Sequence, residues 1–182
     1  DEFIVGGFES DTVSVPSGTN VLFGDNALIE TTATTLADPG LLTLAASIAP
    51  DQGASDAIQG GSGRDIIFGG FGGDTVHASG GDDVVFGDQG YARAEAGAVI
   101  GLVSGEYESA GAFARSTVHG GVDAITATGG NNVIFGGEAG DDITTGADDD
   151  ILLGDHGVVG YGFDWGGYTD FYDVITTFDN DG

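Results

Sequence analysis

The chain has 182 residues, of which 30 are acidic and 3 basic, giving a formal net charge of -27, with 36 glycines and no cysteine. So few basic residues disfavour nucleic acid and anionic membrane surfaces as partners, and the lack of cysteine excludes disulfides and thiolate metal sites. A hydrophobic fraction of 40% argues for a folded chain over an acidic disordered tail, and folding at this charge needs cations among the carboxylates.

Strands are read wherever an Asp or Asn precedes a large apolar residue by two positions. The chain opens on Phe3–Val5, with Glu2 before it; Asp11 and Val13 mark Thr12–Ser14, and Asn20 and Leu22 mark Val21–Phe23. The rhythm stops after Gly24-Asp25, and residues 27–52 carry two β-forming arms around Asp38-Pro39-Gly40. It resumes with Asp56/Ile58, Asp65/Ile67, Asp74/Val76 and Asp83/Val85, and stops again after Gly87-Asp88. Residues 91–118 form a second insert, rich in Ala, Val and Gly. A third run holds Asp123/Ile125, Asn132/Ile134, Asp141/Ile143 and Asp150/Leu152. Gly154-Asp155, a short insert at 158–170 and a last strand marked by Asp173 and Ile175 complete the chain.

The residues flanking each apolar centre sort these strands into two alternating sets. One set carries Val21/Phe23, Ile66/Phe68, Val84/Phe86, Val133/Phe135 and Ile151/Leu153. The intervening set carries Thr12/Ser14, Ala57/Gln59, Thr75/His77, Ala124/Thr126, Asp142/Thr144 and Val174/Thr176. Two sheets follow, the first apolar on both faces and the second mostly on its inner face. A sheet apolar on both sides is normally covered on both sides. The inserts are therefore expected to fold back over it as hairpins or loops; the alternative is an exposed assembly surface. With Val174–Thr176 in the polar set, joining Gly182 to Asp1 would continue the alternation, as expected for one period of a tandem array or a subunit stacking head to tail.

Residues 60–77 read GGSGRDIIF and GGFGGDTVH, two successive matches to G-G-x-G-x-D-x-U-x, where U is a large apolar residue. Looser copies surround them, and the steps GDQG and GDHG precede inserts. In these motifs the chain resembles the repeats-in-toxin (RTX) family, most of all its very large multi-repeat surface proteins. The resemblance implies an all-β fold: a single parallel β-roll (β-solenoid) of nonapeptide repeats over residues 1–182, with three inserted hairpins or loops. It also implies several Ca2+ ions, bound by the position-six Asp and by backbone carbonyls of the glycine-rich turns. Carried over residue by residue, the ligands are Asp65, Asp74 and Asp83, followed by Asp11, Asp56, Asp123, Asp141, Asp150 and Asp173. Asn20 and Asn132 depart from the pattern with a neutral amide. Family members are exported from Gram-negative bacteria and fold outside the cell, where calcium is abundant. Calcium's preference for six to eight oxygens in flexible geometry suits such a donor set independently.

No catalytic motif competes with this reading. H-E-x-x-H, G-x-S-x-G and the P-loop lysine motif are absent. His77, His119 and His156 read as surface residues, and the carboxylates recur with the repeat rather than as an isolated pair. Asp179-Asn180-Asp181-Gly182 resembles only the start of an EF-hand loop. The expected function is structural and not enzymatic: a stiff extracellular or cell-surface segment of a giant adhesin, or a period of a filament. It is expected to associate end to end or continue in tandem, without membrane insertion. The alternatives are a carbohydrate- or surface-binding module, using Trp165, Tyr161 and Tyr168, and a secretion and folding tail of an enzyme. A threonine array for ice is poor, because the threonines switch between flanking positions.

Overall fold

Three-residue strands between glycine-rich turns can satisfy their backbone groups only by pairing with other such strands, and that pairing organises the molecule. The computed structural model describes residues 1–33, 40–108, 112–114, 120–160 and 173–176. Numbered in chain order, the strands begin with β1 Phe3–Val5, β2 Thr12–Ser14, β3 Val21–Phe23, β4 Ala27–Thr31 and β5 Leu42–Ser47. Next come β6 Ala57–Gln59, β7 Ile66–Phe68, β8 Thr75–Ala78, β9 Val84–Phe86, β10 Gly90–Glu95 and β11 Ala98–Ser104. The remainder are β12 Glu106–Glu108, β13 Ala112–Ala114, β14 Ala124–Ala127, β15 Val133–Phe135, β16 Asp142–Thr145, β17 Ile151–Leu153, β18 Gly157–Gly160 and β19 Asp173–Thr176. The fold is all-β: every regular element among the described residues is a strand.

Two parallel sheets share the repeated strands. One has the order β1-β3-β7-β9-β15-β17 and the other β16-β14-β8-β6-β2, so the chain passes from one to the other strand by strand. The register aligns like with like: Phe23 pairs with Phe68, Phe68 with Phe86 and Phe86 with Phe135. Their rings stack at 4.3, 4.7 and 4.8 Å, which is the spacing of hydrogen-bonded strands. Between the sheets, Val13, Leu22, Ile58, Ile67, Val76, Val85, Ile125 and Ile134 form one buried core. These are the apolar centres of the repeats.

The inserts supply a third layer. Their arms pair into one sheet of order β19-β18-β11-β10-β5-β4, antiparallel throughout. Ala45, Ala92, Leu102 and Val159 of this sheet pack with Phe23, Phe68, Phe86 and Phe135 in a second buried core. The apolar face is thus covered by the inserts and is not an assembly surface. Beyond the covering sheet, Leu44, Ala46, Tyr91 and Val103 form a smaller buried cluster, and β12 lies against β10 and β5. The outer face of the second parallel sheet stays polar, with Thr12, Ser14, Gln59, Thr75 and His77 exposed.

One strand departs from expectation. Val174–Thr176 does not continue the polar set; it lies in β19, antiparallel to β18 at the edge of the covering sheet. The continuation of the pattern across the chain ends falls with it. The reason lies in the approach to Asp173. Inserts one and two return to the parallel sheet through Gly53 and Gly120, three residues before Asp56 and Asp123. A Cβ at either glycine would strike the carboxylate of Asp25 or Asp88. The third insert has Asp170 at that position and no glycine from 168 to 172.

Phe68 sits between Phe23 and Phe86 in the stack and is 0% exposed. Phe68→Ala should destabilise the fold by about 3–5 kcal/mol, measured by chemical denaturation. A loss below about 1 kcal/mol would show that the covering sheet collapses onto the gap.

Candidate metal centre

The turns carry two columns of position-six side chains, one along each edge of the paired sheets. On the edge leading into the second sheet stand Asp11, Asp56, Asp74, Asp123 and Asp141. Each N–H donates to Oδ1 of the next: Asp11 to Asp56 at 2.7 Å, Asp56 to Asp74 at 2.7 Å, Asp74 to Asp123 at 2.7 Å and Asp123 to Asp141 at 3.0 Å. The opposite edge repeats the pattern. The N–H of Asn20 donates to Asp65 Oδ1 at 3.0 Å, Asp65 to Asp83 at 2.8 Å, Asp83 to Asn132 at 3.1 Å and Asn132 to Asp150 at 2.9 Å. One carboxylate oxygen per repeat is therefore spent on registering neighbouring circuits.

The other oxygen is left over. Oδ2 of Asp56, Asp65, Asp74, Asp83, Asp123 and Asp141 is buried and has no hydrogen-bond partner among the described residues. An isolated buried carboxylate oxygen is expensive, and here the same expense recurs along both edges. On the first edge each such oxygen converges with a carbonyl of the next circuit on a space kept open by a glycine. A Cβ at Gly24 would strike Asp56 Oδ2 and the Gly69 carbonyl; at Gly69, Asp74 Oδ2 and the Gly87 carbonyl. Gly87 stands likewise between Asp123 Oδ2 and the Gly136 carbonyl, and Gly136 between Asp141 Oδ2 and the Gly154 carbonyl. No three His, Cys, Asp or Glu side chains converge as a metal cluster among the described residues. A bound cation therefore draws on carboxylates together with carbonyls. That hard-oxygen set, in flexible turns, fits calcium.

Of the sequence-derived ligands, Asp11, Asp56, Asp74, Asp123 and Asp141 share the first column, and Asp65, Asp83 and Asp150 the second. Asp173 belongs to neither, since β19 lies in the covering sheet. Asn20 and Asn132 do something different. Their Nδ2 groups donate to Asp65 Oδ1 at 2.8 Å and Asp150 Oδ1 at 2.9 Å, and to the carbonyls of Ser17 and Gly130. The amide thus supplies positive hydrogens to a carboxylate and a turn carbonyl that a cation would otherwise bridge.

Two buried carboxylates escaped sequence reasoning. Asp25 and Asp88 begin inserts and read there only as the point where the rhythm stops. In the fold they are 5% and 0% exposed. Asp25 accepts the N–H of Ala54 at 3.3 Å and that of Phe71; Asp88 accepts the N–H of Gly121 at 3.1 Å and that of Glu138. Each closes the base of its own insert and grips the next circuit. The available signal was positional, because uninterrupted turns carry Gly70 and Gly137 where these carry Asp.

His77 is exposed as expected, but His156 is not a surface residue. It is buried, with Nδ1 2.8 Å from Ser104 Oγ and Nε2 3.0 Å from Glu138 Oε1. The trio joins the end of β11, the start of the third insert and the turn before Asp141. Its polar groups need one another because the covering sheet excludes water there. His119, Trp165, Tyr161 and Tyr168 lie outside the described residues.

Burial raises the carboxyl groups well above their ordinary value of 3.8, and neighbouring carboxylates add to it. Asp74, Asp88 and Asp123 are pushed up to about 8, Asp25 to about 7 and Asp83 to about 6. Without metal, the folded chain therefore binds more protons than the unfolded chain between those values and 3.8, and its stability falls as pH rises. The contribution is complete below about 4, declines as pH rises from there, and is fully lost as each group passes its raised value, at about 6 for Asp83 and about 8 for Asp74. In chelator, circular dichroism should show ordered β structure near the acid end of this range and its loss towards pH 8. Calcium should abolish that dependence. Gly69→Ala, which fills one cradle, should raise the calcium concentration for half-folding by roughly tenfold or more. Gly80→Ala, whose Cβ meets nothing within 4 Å, should leave it unchanged.

No curated protein and no solved structure matches the chain. A family match does emerge: the RTX calcium-binding nonapeptide repeat fits residues 54–91 and 119–155 in four copies. Those residues carry Asp56, Asp65, Asp74, Asp83, Asp123 and Asp141, the six whose Oδ2 atoms stand buried and unpaired. In these two stretches the chain carries RTX calcium-binding nonapeptide repeats, which bind calcium at several sites.

Proposed function

We propose that the two parallel sheets and their turns form a calcium-loaded parallel β-roll that serves as a stiff extracellular building element. It is a segment of a giant surface adhesin or a period of an extracellular filament, secreted from a Gram-negative cell and not an enzyme. The observation that carries this reading is the column of buried, unpaired carboxylates along each edge. Empty of cations, such columns repel themselves; filled, they lock each circuit to the next along the whole length. Folding then awaits a calcium-rich environment, which for a secreted chain lies outside the cell.

Repetition also suits the ends for association with like ends. At one edge β1 leaves Phe3 and Val5 exposed, and at the other β17 leaves Leu152 exposed. Phe3 and Val5 continue the side-chain columns of Val21 and Phe23, the same columns that Ile151 and Leu153 carry on β17. An unpaired edge whose columns match the opposite edge of a second copy favours addition by strand pairing.

Negative-stain electron microscopy in millimolar calcium and after chelation tests this reading. Filaments that disperse on chelation are expected. Isolated short rods in calcium would restrict the role to a module within a longer chain, and particles unchanged by chelator would refute the calcium-dependent structural role.

A further inference from the structure

We propose that Asp25 and Asp88 are additional calcium ligands, each adding a carboxylate from the base of an insert to the position-six carboxylate that follows that insert. The proposal rests on the calcium binding of the repeats and extends it to residues outside the nonapeptide pattern.

The placement is the same in both inserts. Gly24 precedes Asp25, and the space beside Gly24 is where Asp56 Oδ2 and the Gly69 carbonyl converge. Gly87 precedes Asp88, and the space beside it holds Asp123 Oδ2 and the Gly136 carbonyl. Asp56 and Asp123 are 4% and 1% exposed, and their Oδ2 atoms have no hydrogen-bond partner among the described residues. Asp25 lies close enough to Asp56 for their charges to repel, and Asp88 to Asp123 likewise. Two buried, mutually repelling carboxylates thus stand at the foot of each of these inserts, beside a carbonyl of the next circuit.

Asp25 and Asp88 each accept two backbone N–H groups. A carboxylate has about four lone-pair sites, so about half remain for a metal. Those N–H bonds also fix where the carboxylates point. Each lies against the glycine at the same position of the next circuit, Asp25 against Gly70 and Asp88 against Gly137, where any Cβ would collide. Such an aspartate fits only when the next circuit has glycine there. Insert-bearing circuits, marked by Asp25, Asp88 and Asp155, accordingly alternate with insert-free ones. An ion held by Asp88 and Asp123 would tie the second insert, and with it the covering sheet, to the calcium column.

The test is calcium stoichiometry by equilibrium dialysis on the full chain. Asp88→Asn keeps an oxygen acceptor and removes the charge; it should bind one calcium fewer, or one calcium at least tenfold more weakly, with unchanged circular dichroism at saturating calcium. Asp51→Asn, an exposed control, should match the parent. If the parent binds and Asp88→Asn binds the same number with the same affinity, this assignment fails while the repeat sites stand. If the parent binds none, the calcium reading fails as a whole. Should Asp88→Asn not fold, the unaltered protein crystallised with terbium decides. An anomalous peak within about 2.6 Å of the Asp88 carboxylate supports the assignment, and its absence overturns it.

Discussion

Buried negative charge without a protein counter-charge governs this molecule. Asp56, Asp65, Asp74, Asp83, Asp123 and Asp141 each have two oxygens and two tasks: one accepts the N–H of the preceding circuit, the other is left unpaired in the interior. The first task makes the carboxylates part of the backbone pairing, so they cannot swing out to water. The second leaves a desolvated charge at each of these six turns, and desolvation on this scale is tolerated only with a proton or a cation in place. With 3 basic residues against 30 acidic ones, the chain cannot supply the cation itself. A cation at these oxygens would therefore be a structural component of the fold, oriented by the same hydrogen bonds that set strand register.

The covering sheet follows from a match of spacings. Neighbouring strands stand about 4.8 Å apart in any sheet. A hairpin contributes two strands, so one hairpin spans two circuits of the parallel sheet beneath it. Inserts on alternate circuits thus build six antiparallel strands over six parallel ones. An insert on every circuit would crowd two hairpin strands above each strand below, and an insert on every third would leave phenylalanines bare. The glycines opposite Asp25 and Asp88 enforce the same alternation from the turn side. Two independent constraints, one in the sheet and one in the turns, agree on a period of two.

The stacked phenylalanines illustrate how repetition converts register into packing. Rings at 4.3 to 4.8 Å with interplanar angles of 1 to 4° are held by the strand spacing and lack the offset freedom of an ordinary core pair. Small residues of the inserts, Ala45 and Ala92, fit over that ladder, where larger side chains would hold the covering sheet away.

Much of this was legible in the residues. The two-residue offset between Asp and its apolar partner located the repeated strands up to β17, and the flanking residues separated the two parallel sheets, because side-chain direction alternates along a strand. The apolar flanks, Phe above all, also required a cover, and the places where the rhythm stopped located it. What the sequence left open were pairings between segments distant along the chain. That β19 pairs with β18 depends on the covering sheet's edge, which no local pattern announces; its Asp173-Val174-Ile175 looks like any repeat strand. His156 looked exposed because its partners Ser104 and Glu138 come from two other segments. Asp25 and Asp88 looked like punctuation because their function depends on the backbone of the following circuit. Local chemistry determined the repeat, the acidic columns and the ion they call for, since each is written within nine residues. Only the tertiary structure decided which buried groups meet across circuits, because those contacts are set by how sheets stack and not by neighbours in sequence.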